Sequence, residues 1–102
     1  YPLERCLDGL VHAATLPASA FGPRVVVNLP PVHCTTDDLV RAVADRVGAD
    51  VFARVRYEPD PRLEAIFGAF PPMRTPRADA AGFLGDGSVA DLVGRAIAAS
   101  AG

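Results

Sequence analysis

RVVVNLPPVHCTTDDLVRAVADRVG, residues 24–48, decides how the chain is read. Residues 24–29 are a β-branched run that stops at Pro30-Pro31, where two residues in succession offer no ladder donor, so they predict a short strand. After a loop, Thr35 or Thr36 opens a helix in which Leu39, Val40, Val43 and Val47 recur at helical spacing. Asp37 and Asp38 suit the positive end of that helix, and Gly48 closes it. Strand, loop and capped helix in this order predict the edge of an α/β layer.

Working outward, Pro2 fits a first helical turn, where its missing N–H costs nothing. Leu3, Cys6, Leu7, Leu10, Val11 and Ala14 then form an apolar stripe opposite Glu4, Arg5, Asp8 and His12. Pro17 ends that helix, and residues 17–23 form a connecting loop. On the other side, residues 51–57 alternate. Val51, Ala53, Val55 and Tyr57 take one face and Phe52, Arg54 and Arg56 the other, which predicts a second strand. Glu58-Pro59-Asp60-Pro61 breaks it and starts a helix through Leu63, Ile66 and Phe67. Residues 70–76 are too rich in proline for regular structure. Residues 76–82, PRADAAG, form a short helix with Gly82 as its cap. The turn Gly85-Asp86-Gly87 leads to Ser88, which caps a last helix with Val89, Leu92, Val93, Ala96 and Ile97 on its buried stripe. The expected fold class is α/β: a single unit over residues 1–102, with about four helices and two or three short strands, lacking a Rossmann sheet.

A chain of 102 residues has room for one small domain. Half its residues are hydrophobic, but many are alanine, and aromatics make up 7% with no tryptophan, so the core is thin and needs support. A net charge of −2 leaves no electrostatic footprint for nucleic acid or an anionic membrane. All ten basic residues are arginine. The lack of lysine excludes a phosphate-loop lysine, a Schiff-base lysine and a tyrosine–lysine dehydrogenase pair within these residues. Cys6 and Cys34 are too few for a disulfide framework and point to a reduced, cytosolic pair. No apolar run approaches the roughly 18 residues of a membrane span, and no basic-then-apolar leader directs export. The expected location is cytoplasmic. Tyr1 begins directly in a helical pattern, which suggests a piece of a longer protein.

Cys6, His12, His33 and Cys34 match no paired-ligand spacing, so no metal is expected. Asp37, Asp38, Asp60, Asp86 and Asp91 fall at helix starts and turns, where capping accounts for them better than acid–base work.

Arg77-Ala78, then Ala81-Gly82-Phe83, then Ser88 ahead of a final helix resemble the closing run of the extended short-chain dehydrogenase/reductases, the NAD-dependent epimerases and dehydratases. LVHAATL (residues 10–16), GPRVVVNLPPV (22–32) and ARVRYEPDP (53–61) resemble, in the same order, the D-erythronate dehydrogenase-like branch. Phe70-Pro71 stands where that branch usually has tryptophan–proline, and Ala81 where it has leucine. The resemblance implies a C-terminal substrate-binding portion whose partner is the Rossmann half of the same protein. That half carries the glycine-rich loop, the tyrosine–lysine pair and the NAD or NADP, so no cofactor is expected on this chain. The implied ligand is a small anionic or sugar substrate.

Arg54, Arg56 and Arg74 are the candidate substrate-binding residues; no catalytic residue is expected. Guanidinium groups suit a phosphate or carboxylate through paired N–H donors. By the resemblance, Arg56 sits near a turn whose arginine contacts an anionic substrate group. The plainer reading is a solvated strand edge whose arginines pair with Glu58 or Asp60. Arg74 and Arg77 flank a proline-rich loop that is either a substrate lid or a surface anchor. The rival to an enzyme portion is an independent binding module that forms a homo-oligomer through its first helix.

Overall fold

The computed structural model describes residues 1–23 and 26–102. Among the described residues five α-helices follow one another: α1 (Leu3–Thr15), α2 (Thr36–Val47), α3 (Pro61–Leu63), α4 (Pro76–Ala80) and α5 (Val89–Ala101). Short 3₁₀ turns at Ala18–Phe21 and Ala49–Arg54 follow α1 and α2, and a π-helical stretch, Glu64–Gly68, prolongs α3.

Local chemistry sets most of the ends. Thr35, not Thr36, caps α2: its hydroxyl accepts from the Asp38 N–H at 3.1 Å, and the Asp38 carboxylate accepts from the Thr35 N–H at 3.0 Å. Leu16 is extended because Pro17 follows it, and α1 stops at Thr15. Asp60 Oδ1 accepts from the Arg62 and Leu63 N–H groups at the start of α3. Gly82, at φ 81°, closes α4 in a Schellman turn: the Phe83 N–H reaches the Ala78 carbonyl at 2.9 Å, and the Gly82 N–H reaches that of Asp79 at 3.1 Å. Ser88 Oγ accepts from the Asp91 N–H at 3.1 Å to start α5.

The expected α/β class is overturned: among the described residues there is no strand. Arg24 and Val25, a third of the first expected strand, lie outside the described residues, and 26–29 are unpaired coil. The second expected strand begins instead as the 3₁₀ turn Ala49–Arg54 and continues as unpaired coil from Val55. A strand is stabilised only by a neighbour's ladder, and neither segment has one. Positive-φ Gly48 (111°) turns the chain out of α2 straight into the 3₁₀ turn, so the alternation at 51–57 never reaches a pleat.

α2 packs on α5. The buried apolar side chains are Val40, Ala42, Ala44, Ala78, Phe83 and Val93, and no large one is wholly enclosed. On α2, the expected face is therefore rotated: Val40 is buried, but Leu39 and Val47 are exposed. The molecule is a slab 17 Å thick with a radius of gyration of 16.6 Å, against about 13 Å for a compact domain of this length. Its 7727 Å² of accessible surface exceeds the roughly 5,500 Å² of a compact monomer of this mass by about 2,200 Å². The stripe Leu3, Leu7, Leu10 and Val11 on α1 faces outward.

Candidate functional site

Two places gather functional side chains. The first is built on Asp86, whose side chain is 1% exposed. Its Oδ1 accepts from Arg95 Nε at 2.9 Å and Arg5 Nε at 3.4 Å, so one carboxylate joins α1, the 85–87 turn and α5. Its Oδ2 has no protein partner. Arg95 also lies 3.7 Å from Glu4, and hydrogen bonding to Asp86 holds its guanidinium further above its ordinary pKa. The turn can come this close because Gly85 has no side chain: a Cβ there would stand 2.5 Å from the Pro30 carbonyl oxygen. An open concavity of about 400 Å³ lies beside this cluster, lined by Glu4, Asp86 and Asp91 against Arg5, Arg46 and Arg95. Its charges balance, and the arrangement serves as an anchor between elements.

The second place surrounds Arg74. A concavity of about 330 Å³ is lined by Val27, Asn28, Arg74, Thr75 and Arg77. A larger one of about 510 Å³, lined by Pro30, Met73, Arg74, Thr75 and Asp79, adjoins it through Arg74 and Thr75. Two contacts hold the walls. His33 Nε2 bonds the Met73 carbonyl at 3.0 Å, and the buried Thr75 donates its hydroxyl to Asp79 Oδ1 at 3.4 Å. Among the described residues, neither Arg74 nor Arg77 has a carboxylate within ion-pair distance.

Arg54 and Arg56 are not brought to this place, since the strand that was to align them is absent. Arg54 is exposed at the end of its 3₁₀ turn. Arg56 Nε pairs with Glu58 Oε1 at 3.1 Å, both side chains largely in solvent. Asn28, which lines one concavity, and Asp86, which joins three elements, were not among the candidates: one was assigned to a strand and the other to a turn. The glycines on both sides of Asp86 were the available signal, since they mark a close backbone approach.

The other polar candidates are already engaged. His12 donates from Nε2 to the Ala81 carbonyl at 2.6 Å and meets the Phe83 ring edge-on, with centroids 4.9 Å apart. It therefore ties α1 to the end of α4. Among the described residues no three His, Cys, Asp or Glu side chains group to hold a metal. Tyr57 donates to Asp37 at 3.4 Å, and lost solvation followed by that carboxylate raises its pKa. Tyr1 donates to the Leu84 carbonyl at 2.6 Å and is raised mainly by burial. Both phenols stay protonated at neutral pH. The arrangement can hold a charged group; it assembles no proton-transfer pair among the described residues.

No helix among the described residues is long and apolar enough to cross a membrane. No protein-family model matches the chain, and no solved structure does. D-erythronate dehydrogenase of Cupriavidus necator is 35% identical over 85 residues, which is 82% of this chain and 26% of that protein. The chain thus spans about a quarter of the length of the relative it matches, and is similar to part of a dehydrogenase.

Proposed function

We propose that the chain is the substrate-side portion of an NAD(P)-dependent oxidoreductase acting on a small sugar acid, seated on the nucleotide-binding half of the same protein and inactive alone. One observation carries this reading: about 2,200 Å² of surface beyond that of a compact monomer, much of it apolar, in a chain similar to a quarter of a dehydrogenase. That excess matches what one side of a permanent interface covers. The remaining three quarters of such a protein is the natural occupant. In this reading the absent half binds NAD or NADP and supplies the hydride chemistry. This chain closes over the substrate and presents arginines to its carboxylate. Arg74 faces a concavity, while Arg54 and Arg56 lie on an exposed arm. The Arg56–Glu58 pair is so solvated that exchanging Glu58 for a substrate anion costs little.

Three measurements test the reading together. The 102-residue chain titrated with NAD or NADP should show no binding, whereas the complete polypeptide should reduce the nucleotide with four-carbon sugar acids. Arg56→Ala and Arg74→Ala in that polypeptide should raise KM and leave cofactor affinity unchanged. Nucleotide capture or turnover by the 102-residue chain would overturn the proposal.

The outward stripe of Leu3, Leu7, Leu10 and Val11 favours a second reading, a stand-alone module that self-associates through α1. Replacing Leu7 and Leu10 by glutamate separates the two. A self-associating module becomes monomeric; the enzyme portion loses its hold on the nucleotide-binding half.

A further inference from the structure

Ten arginines are the only basic residues in the sequence, and their surroundings sort them. Arg5 and Arg95 share Asp86, Arg41 pairs with Asp37 at 2.7 Å, and Arg56 pairs with Glu58. Arg46 donates to the Ala90 carbonyl at 3.3 Å, with its guanidinium laid on Gly94, where a Cβ would stand 2.8 Å from both terminal nitrogens. Arg54 and Arg62 are exposed, and neither lines any of the concavities above. Arg74 and Arg77 differ from all of these, because both line the same 330 Å³ concavity and neither has a carboxylate partner among the described residues.

We infer that Arg74 and Arg77, with Asn28 lining the same concavity, form a cradle for one carboxylate or phosphate group. Two like charges three residues apart on one wall repel each other, and a bound anion relieves that repulsion while accepting from both forks. Asn28 adds a neutral donor for the same group or for a neighbouring hydroxyl. Asp79 lines the adjoining concavity, where it accepts the Thr75 hydroxyl and stands outside ion-pair distance of both arginines. The volume suits a small polyhydroxy acid. The inference deepens the proposed function, and rests on it only for which molecule carries the anion.

The complete polypeptide carrying these residues is titrated calorimetrically with glycerate, inorganic phosphate and, as the uncharged control, glycerol. Glycerate or phosphate should bind saturably and glycerol should not. Arg74→Ala and Arg77→Ala should each weaken binding about tenfold, the double variant should abolish it, and Arg62→Ala, at an exposed arginine outside the concavities, should leave it unchanged. Preference for glycerate assigns the cradle to a carboxylate, and preference for phosphate to a phosphate ester. Unchanged binding in the double variant overturns the cradle, as does equal weakening by Arg62→Ala. Circular dichroism of the double variant confirms that the fold persists. NAD(P)-linked turnover is read separately. Turnover with KM unaltered in both single variants removes the cradle and leaves the oxidoreductase; anion binding without turnover does the reverse.

Discussion

Residues 56–74 and residues 75–101 contain comparable apolar side chains but have opposite fates. Every residue from Arg56 to Arg74 is exposed, including Leu63, Ile66, Phe67, Phe70 and Met73. The following stretch buries Thr75, Ala78, Phe83, Asp86 and Val93. Helical structure is present in both, so local propensity does not separate them. What separates them is long-range partners. The second stretch has α2 under α5, His12 on Ala81 and two arginines on Asp86. The first has mainly near neighbours, with Asp60 capping α3, Arg56 on Glu58, and Phe67 against Phe70 with ring centroids 6.2 Å apart. Its distant bonds, Tyr57 to Asp37 and His33 to the Met73 carbonyl, are exposed and bury none of its side chains. Contacts of this kind order a segment without removing its apolar surface from water.

The largest test of that contrast is Asp86→Ala, which strips two guanidinium groups of a shared buried acceptor. We expect a loss of about 2 kcal/mol in chemical denaturation. A loss near zero would mean that α1 and α5 are held by something else. Gly82→Ala should cost about 1 kcal/mol, because a side chain at φ 81° is strained and its Cβ would stand 3.2 Å from His12 Nε2. Acid should loosen the start of α2. Hydrogen bonds from Thr35 hold the Asp38 pKa below its ordinary 3.8. A depressed folded-state pKa adds stability that is complete above about 3.8 and is lost as pH falls through the lower folded value. Helical signal should therefore drop in that range, and Asp38→Asn should flatten the response. The smallest effect belongs to the arm: Phe67→Ala should change the stability of the 102-residue chain by less than about 0.5 kcal/mol. The same substitution in the complete polypeptide should cost several times more. Equal effects in the two settings would break the comparison.

The helices were legible because their signals are local. Thr35 and Asp38, Pro17, the proline at the head of α3, Gly82 and Ser88 each act within four residues, and all mark the ends they were read to mark. The strands were misread because alternation at 51–57 states only which side chains share a face if a sheet exists, and no second strand is there among the described residues. The candidate site was legible in part. Arg74 was picked out and Arg77 was seen beside it, but their common concavity depends on the 26–31 segment folding back onto α4. Arg54 and Arg56 were set side by side by a pleat that did not form.

Composition and short-range spacing settled on their own where the main helices start and stop, that every lysine-or-arginine cation is a guanidinium, and which chemistries a lysine-free chain lacks. Tertiary structure alone decided that Asp86 is buried, that α1 turns its leucines outward, and that Arg74 and Arg77 line one hollow. Caps and turns are closed by neighbours a few bonds away and carry their energy in any context. Burial and charge pairing need surfaces brought together from distant parts of the chain, and here part of that surface is still open to water.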